Sequence, residues 1–142
     1  MQEKTIAQDL NTPNTSVLGA QFDQSQPLHT AALLVDYENF YLSILNGYGR
    51  RQNATDDAIE TLSRLDRILR DDHACNVVVG RSYADFYRIN GEAQGQLQLL
   101  GIQPCYALAT EHKNSADVCL AIEAVNLIHS RPELSVFVVV AG

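Results

Sequence analysis

Asp36 stands directly after the apolar run Ala31-Ala32-Leu33-Leu34-Val35, with Asn39 three positions further on. Two more acids occupy comparable places, Asp85 closing Ser82-Tyr83-Ala84-Asp85 and Asp117 closing Lys113-Asn114-Ser115-Ala116-Asp117. Carboxylates gathered at one edge of a fold raise one another's pKa or recruit a cation. Hard oxygen donors without a companion His or Cys favour Mg²⁺ or Mn²⁺ over zinc. Asp36, Asp85 and Asp117 are therefore candidate metal ligands, and Asn39 is a candidate to orient a water or a phosphate oxygen. Lys113 is placed to neutralise a phosphate. Arg81 and Arg88, with Arg50, Arg51, Tyr48, Tyr83 and Tyr87, offer a rim for backbone contacts and base stacking.

Each of these residues also has a plainer role. The helix dipole alone favours an acid in a first helical turn, which is where Asp117 falls. Asn near a helix start ordinarily caps it. Asp85 has Arg81 and Arg88 as ready ion-pair partners, and a lone loop lysine such as Lys113 is usually just solvated. Glu123, six positions after Asp117, is rotated well away from it on a helix, so a solvated or outer supporting role is expected. Asp36 is the hardest to explain without function. A carboxylate continuing a buried apolar strand must emerge at a sheet edge, where open α/β sheets bind ligands. His29, His73, His112 and His129 show no nucleophile or ligand spacing, and neither common glycine-rich phosphate loop is present, which counts against nucleotide-binding folds.

The elements that must position these acids follow from hydrophobic patterning. Ala31 to Val35 is a continuous apolar run of the kind buried on both faces of a parallel sheet. Asn76 to Gly80, Gln103 to Ala107 and Val136 to Val140 read as further strands, the two in the middle short, with Pro104 marking a strand start or an edge. A short helical segment should carry Asn39 and run through Leu45. Ile59, Leu62, Leu65 and Leu69 repeat at helical spacing behind the candidate caps Asp56 and Asp57. A weaker helix spans Gly91 to Leu100, closed by Gly101, and Val118, Ala121, Ile122, Val125 and Ile128 form the cleanest apolar stripe. Alternating strands and helices predict a parallel α/β sheet with flanking helices, every strand pointing its C-terminal end to one edge. Residues 1–30, rich in Gln, Thr, Ser, Asn, Asp and Pro, are expected to be a disordered tail, and 31–142 one domain.

Composition narrows the partners. A net charge of −7 argues against a protein that coats polyanions by counterion release, so any nucleic-acid contact must be local. Three well-separated cysteines, Cys75, Cys105 and Cys119, match neither a redox pair nor a zinc site and suit a reducing compartment. No apolar run approaches the roughly 20 residues needed to span a bilayer, and the N-terminus has no signal-peptide pattern, so no membrane and a cytoplasmic location are expected.

Taken in order, Leu33-Leu34-Val35-Asp36-Tyr37-Glu38-Asn39, Lys113-Asn114-Ser115-Ala116-Asp117-Val118 with Leu120-Ala121-Ile122-Glu123-Ala124 behind it, and the strand from Val136 to Gly142 resemble the NYN branch of the PIN-like nucleases. The resemblance covers about Ala31 to Gly142. It implies a Rossmann-like parallel sheet and metal-dependent hydrolysis of RNA phosphodiesters, on single-stranded or structured RNA. Asp36 and Asp117 would be metal ligands with Asn39 close by, and Asp85 matches a less regular acidic position. Glu123 stands where the family commonly has Asp. In the family the last strand runs into a Gly-Asp-x-Asp type motif, whereas this chain ends at Ala141-Gly142. A C-terminally truncated domain with impaired activity is the expectation, and a homo-oligomer or a further C-terminal domain stays open. Two rivals remain: a NYN-like module that binds RNA or protein without chemistry, and a phosphotransfer or phosphatase domain with Asp36 as nucleophile. Asp36-Tyr37-Glu38 lacks the Asp-x-Asp pair the second would need.

Overall fold

The computed structural model describes residues 28–47, 53–89, 91–107 and 115–142. Along the chain run β1 (His29–Asp36), α1 (Tyr37–Gly47), α2 (Ala54–Asp71), β2 (Cys75–Ala84), α3 (Glu92–Leu99), β3 (Gln103–Tyr106), α4 (Ser115–Ser130) and β4 (Val136–Val140). The strands form one sheet in the order β3-β2-β1-β4, every neighbouring pair parallel. The expected parallel α/β architecture is thus what the chain adopts.

β1 is the central hydrophobic strand, with Ala31 to Asp36 all buried. Its alternate residues serve opposite faces, as the period of two in a strand requires. Leu33 and Val35 join a core with Tyr37, Ala58, Leu62, Phe86 and Leu97, under α1, α2 and α3. Ala32 and Leu34 join a second core with Val79, Tyr83, Ala116, Leu120 and Leu127, under α4. Because β3 and β4 lie on opposite sides of the β1–β2 pair, the chain crosses the sheet between β3 and β4 and carries α4 to the other face. The C-terminal end of β1, beside β4, therefore lies at a switch point, the usual ligand crevice of such sheets.

Several local expectations are corrected. β2 is ten residues long rather than short, continuing through Arg81-Ser82-Tyr83-Ala84, because that stretch, buried from Ser82 on, keeps pairing with β1 up to Asp36↔Tyr83. A bulge at Val78 shifts the β1–β2 register and leaves that residue exposed. Gly80 lies so close to β3's approach that a Cβ there would stand 2.9 Å from the Gly101 carbonyl oxygen. β3 is an edge strand, which is where Pro104 is tolerated. α2 begins at Ala54, so Asp56 and Asp57 sit in its first turn rather than at its cap. Gly101, at φ +75°, closes α3 in the left-handed conformation.

The largest departure is in α4. Val118, Ile122, Val125 and Ile128, the stripe that sequence patterning selects, face outward at 54–57% exposure, while Ala116, Leu120 and Leu127 meet the sheet. Both sets follow helical spacing, and the β-branched side chains are the ones that face outward. Of the segment expected to be disordered, residues 1–27 lie outside the described residues, and His29 and Thr30 open β1. Among the described residues no helix is long and apolar enough to cross a membrane.

Candidate acidic site at the sheet edge

β1 ends on Asp36, and α1 starts at the next residue, so Asp36 is both a strand terminus and the N-cap of a helix. Its Oδ1 accepts the backbone N–H of Asn39 at 3.1 Å, the bond an N-cap carboxylate makes to an orphan helical donor. Its Oδ2 accepts from the Asn39 side-chain amide at 2.7 Å. Asn39 therefore clamps Asp36 from two directions, while its own side chain lies at an exposed position. Asp36 is 1% exposed.

The Asp117 carboxyl, in the first turn of α4, lies close enough to that of Asp36 to act on its titration. Burial pushes the Asp36 pKa above the ordinary carboxylate range, and the Asp117 carboxyl pushes it further, against the two Asn39 bonds that pull it down. Two acids from distant parts of the chain thus share one small volume. They can share a proton or hold a cation between them, and the second option suits an all-oxygen donor pair. On this test the residues fit a hard divalent ion.

Asp85 is also buried, yet its carboxylate is turned to local backbone. Oδ1 accepts the Tyr87 N–H at 3.2 Å, and the Asp85 carbonyl accepts from Arg88 and Ile89 N–H. The expected edge of three converging acids is reduced to a pair: among the described residues no three His, Cys, Asp or Glu side chains come together closely enough to hold a metal. Arg81 bonds Glu123 of α4, tying β2 to that helix across the sheet. Arg88 lies exposed in the turn after β2. Lys113, and with it Tyr48, Arg50, Arg51 and His112, lies outside the described residues.

Of the tyrosines proposed for a rim, Tyr83 is buried in the α4 core, its pKa pushed up to about 12 chiefly by burial. Tyr87 is the exposed one, and it touches Tyr106, a residue that sequence reasoning passed over. The available signal was position, since Tyr106 closes β3 on the same edge as Asp36.

A parallel sheet ordered 3-2-1-4, with paired carboxylates at its switch point, defines a Rossmann-like α/β domain with an acidic edge. The particular family follows from the chain as a whole. A family model for the NYN domain matches residues 30–142, and the chain belongs to that family. It is thereby placed among the PIN-like nucleases, whose NYN members are generally metal-dependent and bind RNA. No curated protein and no solved structure matches this chain.

Proposed function

We propose that this domain hydrolyses RNA phosphodiester bonds, with Asp36 and Asp117 holding Mg²⁺ or Mn²⁺. The observation that carries the reading is the buried Asp36 carboxyl set against Asp117, an arrangement that costs stability unless a proton or a cation occupies it. When bound, such a cation supplies a water of lowered pKa and neutralises charge on the phosphate. Asn39 fixes the Asp36 carboxylate through both oxygens, so the ligand is pre-oriented. Arg88 and Lys113 supply positive charge for RNA phosphates. Arg81 contributes through Glu123, anchoring the helix that carries Asp117 to the strand beside Asp36. Asp85 shapes the turn that presents Tyr87 and Arg88.

The test is cleavage of single-stranded RNA by the full chain in Mn²⁺. Products are expected only with metal, and Asp36→Asn and Asp117→Asn are expected to lose them. Equal cleavage by wild type and Asp36→Asn refutes the assignment. A second reading, RNA binding without hydrolysis, is favoured by one observation: only two acids converge among the described residues. RNA retained by the wild-type chain with no metal-dependent product selects that reading.

A further inference from the structure

Five aromatic rings run in an unbroken series from α1 to the surface beyond β3. Tyr41 stacks on Tyr37 at 6.1 Å, Tyr37 on Phe86 at 5.8 Å, Phe86 meets Tyr106 edge-on at 5.7 Å, and Tyr106 meets Tyr87 at 5.1 Å with a 40° tilt. The inner members, Tyr37 and Phe86, are fully buried. At the outer end Tyr87 is 83% exposed and Tyr106 is 46% exposed. A surface aromatic normally covers its ring or turns it onto neighbouring apolar surface. Tyr87 instead is largely uncovered, while the Tyr106 hydroxyl donates to Gln94 Oε1 at 2.7 Å and the Tyr87 N–H donates to Asp85 Oδ1.

Position gives this pair a use. In the sheet register Asp36 pairs with Tyr83 and Ala84 with Tyr106, so Tyr106 stands at the same C-terminal edge as the acidic pair, two strands away and one residue further on, on the α3 side of that edge. That is about 10 Å across a sheet, a short step along an extended strand of nucleotides. Net charge then decides what kind of contact binds there. A domain of charge −7 gains little from counterion release beyond a few local cations such as Arg88, so base stacking, which does not depend on net charge, is the contact best able to add affinity there.

We propose that Tyr87 and Tyr106 form a platform on which an unpaired base of single-stranded RNA stacks, with Arg88 beside it for the adjoining phosphate. The assignment rests on the reading of the acidic edge as an RNA site, and it names the substrate as single-stranded. A base held in a duplex has no free face to offer the rings. No sequence preference is built in, since every base presents a stacking face.

The experiment is anisotropy of a labelled oligouridine RNA with the full chain in EDTA, which separates binding from chemistry, alongside cleavage in Mn²⁺. Stacking on an aromatic side chain contributes about a tenfold to hundredfold gain in affinity per base. Tyr87→Ala is expected to weaken binding by that factor, Tyr87→Phe to bind like wild type, and an oligomer with abasic sites to bind wild type as poorly as the intact oligomer binds Tyr87→Ala. The salt dependence of wild-type binding should be shallow. Unchanged affinity in Tyr87→Ala, or no binding by wild type, overturns the platform. If wild type cleaves RNA with metal while Tyr87→Ala keeps its affinity and KM, the platform fails and the nuclease reading stands. If binding depends on Tyr87 but no metal-dependent cleavage occurs, the nuclease reading fails and the platform stands.

Discussion

Replacing Asp36 by Asn should make the metal-free domain more stable, although it removes the residue on which the proposed chemistry depends. Two unit charges about 4 Å apart repel by about 1 kcal/mol in water and about 4 kcal/mol at an effective dielectric of 20. Asp36 is buried and Asp117 is exposed, so their repulsion lies toward the lower figure. Asn keeps the helix cap, because its Oδ1 can accept the Asn39 N–H as Asp36 does. It loses the bond from the Asn39 side-chain amide, about 1 kcal/mol, and gains an N–H donor toward Asp117. The balance is a stabilisation of about 1 kcal/mol, or about 4 °C in Tm for a domain of this size. Burial raises the folded-state pKa of Asp36, so its contribution to stability is complete below the ordinary Asp value near 3.8 and is lost as pH rises through the raised value. The advantage of Asn should therefore appear at neutral pH and vanish in acid. Mn²⁺ should reverse the order: a ligand at a hundred times its Kd stabilises the native state by about 2.7 kcal/mol, and only the wild type should gain. Thermal melts with EDTA and with Mn²⁺ measure both effects. An Asp36→Asn protein that melts below metal-free wild type at neutral pH, or gains as much from Mn²⁺, refutes the reasoning.

The remaining predictions concern the frame around the site. Arg81→Ala should destabilise the domain by about 1–2 kcal/mol, because it leaves the half-buried Glu123 uncompensated, and adding Glu123→Gln should recover part of the loss in a double-mutant cycle of chemical denaturation. Gly80→Ala should cost about 1–3 kcal/mol, since its Cβ would crowd the Gly101 carbonyl and the Ile102 Cα, as urea midpoints will show. In an ultraviolet titration of the six tyrosines, Tyr37 and Tyr83 should ionise only near pH 12, because burial disfavours both phenolates, and Tyr37→Phe should remove one late-titrating group.

Sequence patterning identified β1 and Asp36 because both faces of that strand are buried, which leaves an uninterrupted apolar run ending abruptly on a charge. Pro104 was similarly legible, since a residue without an N–H belongs at an edge. α4 misled for a physical reason: it is apolar on two sides, and periodicity cannot say which of two stripes meets the sheet. Here the β-branched one faces out. Asp85 shared its type and strand-end position with Asp36, but only the turn after β2 decides that its carboxylate serves the Tyr87 N–H. The Asp36–Asn39 clamp was half visible in the spacing of three residues, which is that of a helix cap. Tyr106 carried no motif. Its partnership with Tyr87 exists only because β2 and β3 are parallel neighbours that end at the same level.

The central claim is that Asp36 and Asp117 together make one divalent-cation site, and the most direct test is titration of Mn²⁺ into the full chain, followed by the electron paramagnetic resonance signal of the free ion. Wild type and Asp85→Asn should deplete that signal, each with one site, whereas Asp36→Asn and Asp117→Asn should leave it close to that of buffer. Undiminished binding in both of those variants, or loss of binding on Asp85→Asn alone, would contradict the account.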